Sequence, residues 1–166
     1  MEMLKILPVN GIRLSIDKEI KLTQIITKLV KLNSYYIFCY NSCSDHIHFI
    51  IGCNDEKLDK IIRTIKSYSS KYLKLSTGIS HLWAQKFNRV LIENEKQLNY
   101  AFDYIKNNRI KHNLPYSKEL EDEIRKMITP FENIEEILDK VEKKDKEANP
   151  YNNGAKVNQD SFNKLY

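Results

Sequence analysis

The run Ser44-Asp45-His46-Ile47-His48-Phe49-Ile50-Ile51-Gly52 constrains this chain most. It is rich in β-branched and aromatic residues, and such a run reads as a buried strand. Side chains alternate faces along a strand, so His46 and His48 point the same way, beside Ile50. Ile47, Phe49 and Ile51 point the other way, into a core. Two imidazoles side by side in an apolar strand are costly unless something pairs with them. A divalent metal is one such partner. Two core histidines satisfied by hydrogen bonds are the other reading of a bare His-x-His.

The chain around this strand has 166 residues, which suits one domain plus an appendage. A hydrophobic fraction of 42% is enough for a core. No apolar run is long enough to cross a bilayer, and Met1 to Asn10 lacks the pattern of a signal peptide. Three cysteines, Cys39, Cys43 and Cys53, are an odd number, for which a reducing cytoplasm is the simplest setting. The net charge of +5 is unevenly spread. Residues 57–112 carry 12 basic and 4 acidic side chains, whereas residues 113–166 carry 9 basic and 12 acidic. A basic middle with an acidic tail suits a polyanionic partner, and equally a solvated lysine-rich surface. Lys60, Arg63, Lys71, Lys74, Lys86, Arg89, Lys106 and Arg109 are its candidate contacts to a polyanion.

Hydrophobic periodicity divides the chain further. Gly11 to Ile16 reads as a first strand, and Lys18 to Leu32 as a helix capped by Asp17. Ser34 to Cys43 reads as a strand, joined to the histidine strand by a turn over Asn41 to Asp45. Asp55 to Leu75 is helical, with Leu58, Ile61, Ile62, Ile65, Tyr68 and Tyr72 as the inner stripe. Trp83 to Glu93 reads as extended. Asn94 caps a helix from Lys96 to Asn108, and Glu119 to Met127 and Ile134 to Lys146 are helical. The order β-α-β-β-α-β-α implies an α+β fold, a ferredoxin-like antiparallel sheet with a C-terminal helical extension. The expected organisation is a main domain over 1–116, the extension over 117–147 and a flexible tail over 148–166.

The helix from Lys96 to Asn108 holds Tyr100, Tyr104 and Asn108 four residues apart, which stacks them on one face. Leu98, Ala101, Phe102 and Ile105 face the core. A phenol is a weak nucleophile at neutral pH, because its pKa is near ~10. It becomes useful when a metal polarises the phosphate that it attacks. Two histidines and an amide oxygen make a three-point metal site with positions left for phosphate oxygens. Asn108 lies one turn beyond Tyr104, so both can reach one phosphate. With 10 tyrosines present, a packing role for any single one is the competing reading.

Three segments in order carry a resemblance: His46-Ile47-His48; Gly78 with His81-Leu82-Trp83-Ala84-Gln85-Lys86-Phe87; and Tyr104-Ile105-Lys106-Asn107-Asn108-Arg109. Together they resemble the single-tyrosine HUH transposases (insertion-sequence-200-like), most of all the REP-associated tyrosine transposases. The resemblance spans Tyr35 to Leu114. It implies a ferredoxin-like fold with both histidines on the sheet. It also implies Mg²⁺ or Mn²⁺ held by His46, His48 and Asn108, with Asn107 as a rival ligand. Tyr104 is then the nucleophile on single-stranded or hairpin DNA, giving a 5′-phosphotyrosine link that is later reversed. The chain departs from the family pattern at Ser44-Asp45, where Asn is usual, and at Arg109, where proline is usual.

Two other readings stand beside this one. A single-stranded nucleic-acid-binding module without chemistry, inactive or domesticated, would keep the basic surface and lose cleavage. A zinc site would draw on Cys39, Cys43 or Cys53 beside the histidines, although these cysteines lack Cys-x-x-Cys spacing. The sequence leaves a homodimer open and calls for no membrane.

Overall fold

A computed structural model describes residues 2–8 and 11–148. Four strands, β1 (Glu2–Pro8), β2 (Tyr36–Ser42), β3 (His46–Gly52) and β4 (Asn88–Ile92), form one antiparallel sheet in the order β2-β3-β1-β4. Helices α1 (Ile16–Asn33) and α2 (Asp55–Thr77) cover one face. Helix α3 (Glu95–Lys111) covers the other, and α4 (Lys118–Met127) and α5 (Ile134–Ala148) follow it. This is the ferredoxin-like α+β arrangement that the element order implied.

Alternation along β3 divides the core as expected. Ile47, Phe49 and Ile51 pack with Leu22, Ile26, Leu58, Ile62 and Ile65 of α1 and α2. Ile50 packs instead with Leu98, Ala101 and Ile105 of α3. A register shift between Ile37 and Cys39 breaks the alternation of β2, so Phe38 and Cys39 both join the α3 side.

The first strand is not Gly11 to Ile16. That segment is a connection, with Gly11 at φ 68, and α1 already begins at Ile16. Its apolar residues mimic a strand because Leu14 is buried, held by its N–H on the Ser44 carbonyl at 2.9 Å. The real strand, Glu2–Pro8, sits between β3 and β4, and in the sequence Lys5 divides its apolar residues into two short pairs. Asp17 lies inside the first turn of α1, and Ser15 occupies the cap position. Asn94 does cap α3, accepting from the Gln97 N–H at 2.9 Å.

Two further expectations shift. Tyr72 is 39% exposed, and Ser69 and Leu73 take the inner positions of α2. Of the extended segment expected over 83–93, only Asn88–Ile92 is strand. The part before it lies on α2, where the Trp83 indole donates to Ser69 Oγ at 2.8 Å and Lys66 Nζ to the Ala84 carbonyl at 2.7 Å.

The C-terminal extension wraps around the edge strand β2. Met127 of α4 packs in the α1 side of the core, and Ile134 and Ile137 of α5 pack on the α3 side. Between them the Thr129 N–H donates to the Ile37 carbonyl at 2.8 Å, so part of the edge is paired. The expected tail over 148–166 lies, beyond Ala148, outside the described residues.

Candidate active site

A tight turn places the site. The Cys43 N–H donates to the His46 carbonyl at 2.9 Å, and Ser44 between them takes φ 64. This closes the β2–β3 hairpin and sets His46 and His48 at the start of β3, on the face toward α3. Asn41, one step back on β2, donates from Nδ2 to the Ile105 carbonyl at 2.8 Å. That bond fixes the last turns of α3 over the histidines.

The side chains that the sequence singled out meet here. The His46 and His48 rings are 4.7 Å apart between centroids, and the Tyr104 ring lies edge-on to His48 at 5.6 Å. Asn108 is fully buried, with Oδ1 3.2 Å from His46 Nε2. Tyr100 stacks on Tyr104 at 6.5 Å but is 74% exposed. Asn107, the rival ligand, is exposed.

Asp45 fixes the histidine chemistry. Its Oδ1 lies 2.6 Å from His46 Nδ1. With the Nδ1 proton donated to this carboxylate, the Nε2 lone pair faces Asn108 Oδ1. In that tautomer two acceptors face each other, an arrangement that a cation between them satisfies. Burial works against a charged Asp45, but the His46 hydrogen bond and charge, the backbone and Arg13 hold its carboxyl below the usual value. His48 is 1% exposed, and among the described residues neither of its ring nitrogens has a hydrogen-bond partner. Burial first, then the charges of His46 and His112, push it down to about 4, with Asn108 opposing. A neutral, unpaired imidazole is a ready metal ligand. Asn108 Nδ2 is likewise buried without a partner among the described residues. The residues present therefore fit a divalent cation.

Of three further neighbours, the sequence offered Cys43 only in the zinc reading and Asp45 only as a residue at the strand mouth, and it did not offer His112. Asp45 alternates away from His46 in an ideal strand, yet at the strand mouth it reaches back. Cys43 stands opposite His46 across the turn, and its buried thiol is pushed up to about 12 by burial, against the nearby Arg109 charge. His112, the residue after α3, lies 5.2 Å from the His46 ring. The tight turn Cys43-Ser44-Asp45-His46 was the signal for the first two.

The basic residues separate into groups. Lys60, Arg63, Lys71 and Lys74 are exposed on α2, across the sheet from the histidines. Lys86 is exposed before β4, and Arg89 on β4 pairs with Asp55 at 3.6 Å. Lys106 is exposed on α3, with Nζ over the Phe102 ring at 5.0 Å. Arg109, unlike the others, is only partly exposed. Its guanidinium turns inward and binds Glu19, the Ser42 carbonyl and the Pro115 carbonyl, because Glu19 is buried and needs a cation.

The model of the IS200-like transposase family matches residues 13–108, more than half of the chain. The chain belongs to that family. The IS200-like transposases are DNA-processing enzymes, and the membership expected from the His46-to-Asn108 motifs is borne out. Two solved structures share the fold. One is a REP-associated tyrosine transposase bound to a REP hairpin, with a TM-score of 0.58 and 21% identity over 77% of this chain and 82% of that one. The other is a transposase-like protein from Deinococcus radiodurans, with a TM-score of 0.50 and 14% identity over 64% of this chain and 89% of that one. Among curated proteins none matches this IS200-like chain. Among the described residues no helix is long and apolar enough to cross a membrane.

Proposed function

We propose that this IS200-like transposase cleaves and rejoins single-stranded DNA at hairpin or repeat sequences, with Tyr104 as the nucleophile. The observation that carries the reading is the meeting of Tyr104, His48 and Asn108. The Tyr104 ring lies 5.6 Å from His48, one helical turn before an asparagine whose Oδ1 faces His46 Nε2. His46, His48 and Asn108 would hold Mg²⁺ or Mn²⁺. When bound, the ion polarises a phosphate oxygen and offsets the charge that builds during attack.

The chain supplies the rest. The Tyr104 hydroxyl attacks phosphorus, the bond to the 3′-oxygen breaks, and a 5′-phosphotyrosine remains. The phenol proton goes to solvent, and the 3′-oxygen leaves as a free hydroxyl. Attack of a 3′-hydroxyl on the phosphotyrosine rejoins the strand and returns the phenol. Asp45 keeps His46 in the tautomer whose Nε2 is a ligand. The buried His48 excludes water from one side of the site. Lys111, with Nζ 5.3 Å from the Tyr104 ring centre, brings positive charge to the place where phosphate must sit.

The test is mass spectrometry of the protein after incubation with labelled single-stranded hairpins and Mn²⁺. A nucleotide on Tyr104, absent from Tyr104→Phe, is expected. A nucleotide on Tyr100, or cleavage that persists in Tyr104→Phe, overturns the assignment. Binding without any adduct across several hairpins and metals favours the binding-module reading.

A further inference from the structure

Cys43 is a site residue to which cleavage assigns no task. Its thiol is 2% exposed, yet it belongs to neither apolar cluster. The other cysteines do: Cys39 packs among the α3-side residues and Cys53 among the α1 and α2 side. Cys43 Sγ and one ring nitrogen from each of His46 and His48 all lie within 4.8 Å of one another. A second observation points to a ligand at this spot. His48, 1% exposed, has no hydrogen-bond partner for either ring nitrogen among the described residues. This imidazole sits beside a thiol and a second imidazole.

Donor chemistry decides what such a trio holds. Mg²⁺ prefers oxygen and a near-octahedral shell that keeps several waters. One sulfur and two imidazole nitrogens form a soft to borderline set that suits tetrahedral Zn²⁺ or Co²⁺. We propose that Cys43 Sγ is a ligand in the same centre as His46 and His48, so that the centre takes Zn²⁺ or Co²⁺ in preference to Mg²⁺. This rests on reading the two histidines as metal ligands. Asn108 Oδ1, beside His46 Nε2, is placed to be the fourth and exchangeable donor. On binding, the thiol proton leaves to solvent and a sulfur–metal bond forms; no oxidation state changes.

Co²⁺ alone, added to the metal-stripped full chain under reducing, oxygen-free conditions, tests the proposal. A thiolate-to-cobalt band in the near ultraviolet is expected, with the strong visible bands of tetrahedral cobalt. Both should vanish on stoichiometric addition of Zn²⁺. Cys43→Ser should lose the near-ultraviolet band, and Cys39→Ser should keep it. Should Cys43→Ser fail to fold, X-ray absorption of the zinc-loaded wild-type chain decides, with one sulfur at about 2.3 Å expected. Cobalt bound without the sulfur band, a band that survives in folded Cys43→Ser, or a zinc shell free of sulfur overturns the ligation. Mn²⁺ calorimetry on His46→Ala/His48→Ala separates the two levels. If Mn²⁺ binding needs the histidines while no sulfur band forms, their reading stands and that of Cys43 falls. A sulfur band without cleavage of any hairpin leaves the Cys43 ligation standing and removes the cleavage reading.

Discussion

Arg109 Nη1 lies 2.9 Å from each carboxylate oxygen of Glu19, joining the end of α3 to the first turns of α1. Glu19 Oε1 also accepts from the Ser42 hydroxyl at 2.8 Å and the Ser44 N–H at 2.6 Å. One buried carboxylate thus holds both halves of the site: the turn that launches His46 and the helix end that carries Tyr104 and Asn108. Removing one partner of a buried pair leaves an uncompensated charge and costs about 3–5 kcal/mol. Arg109→Met should lose about that much in urea denaturation. The double variant Glu19→Leu/Arg109→Met should be less destabilised than Arg109→Met alone. Equal or greater loss in the double variant would show that the pair is not the source of the effect.

Tyr104→Phe removes one hydroxyl and keeps the ring against His48. Mn²⁺ binding by calorimetry and the unfolding midpoint should stay at wild-type values, while cleavage of single-stranded hairpins disappears. A fall in metal affinity would make Tyr104 a ligand or a packing residue instead.

Stability without metal should depend on pH through His48. Its folded value of about 4 lies below its ordinary 6.5, so the unfolded chain binds the extra proton between them. The contribution is therefore complete above about pH 6.5 and is lost as pH falls toward 4. A shift of this size corresponds to roughly 3 kcal/mol. Denaturation in a chelating buffer should show this decline, and His48→Asn should flatten it. A profile that stays level in the wild-type chain would contradict a neutral, buried His48.

Charge removal should separate the two basic regions. Glutamine at Lys60, Arg63, Lys71 and Lys74 should flatten the salt dependence of single-strand binding, by about 0.7 in slope for each phosphate that is no longer neutralised. The cleavage rate at saturating DNA should not change, because α2 lies across the sheet. Glutamine at Lys106 and Lys111 should instead lower that rate. If the slope does not respond to the α2 set, DNA does not use that face.

The helical extension should matter to stability. Ile137 is fully buried in α5, in the cluster of Phe38 and Ile105. Ile137→Ala should cost about 3 kcal/mol in denaturation experiments. A change below about 0.5 kcal/mol, the usual size for surface substitutions, would mean that α5 is not docked.

Local signals carried most of the fold. The alternation in β3, the turn before it and the Asn94 cap are short-range features, and all three match the structure. β1 was missed because Lys5 breaks its short apolar run, whereas the connection over 12–14 imitates a strand. The four-residue spacing of Tyr104 and Asn108 was legible, since helix geometry alone sets it. The inward turn of Arg109 was not: its cause, Glu19, is 90 residues away. Cys43 was one of three cysteines that the sequence set beside the histidines, and only hairpin closure singles it out.

The position of β1 bears on how the protein is made. This strand leaves the ribosome before the rest of the sheet, yet its two partners are residues 46–52 and 88–92. The centre of the sheet stays incomplete until β4 has been synthesised. Pairings this distant in sequence are slow to form, and they leave strand edges exposed meanwhile. Nascent chains arrested before β4 should therefore be protease-sensitive and prone to associate, whereas chains released after α5 should reach the folded state.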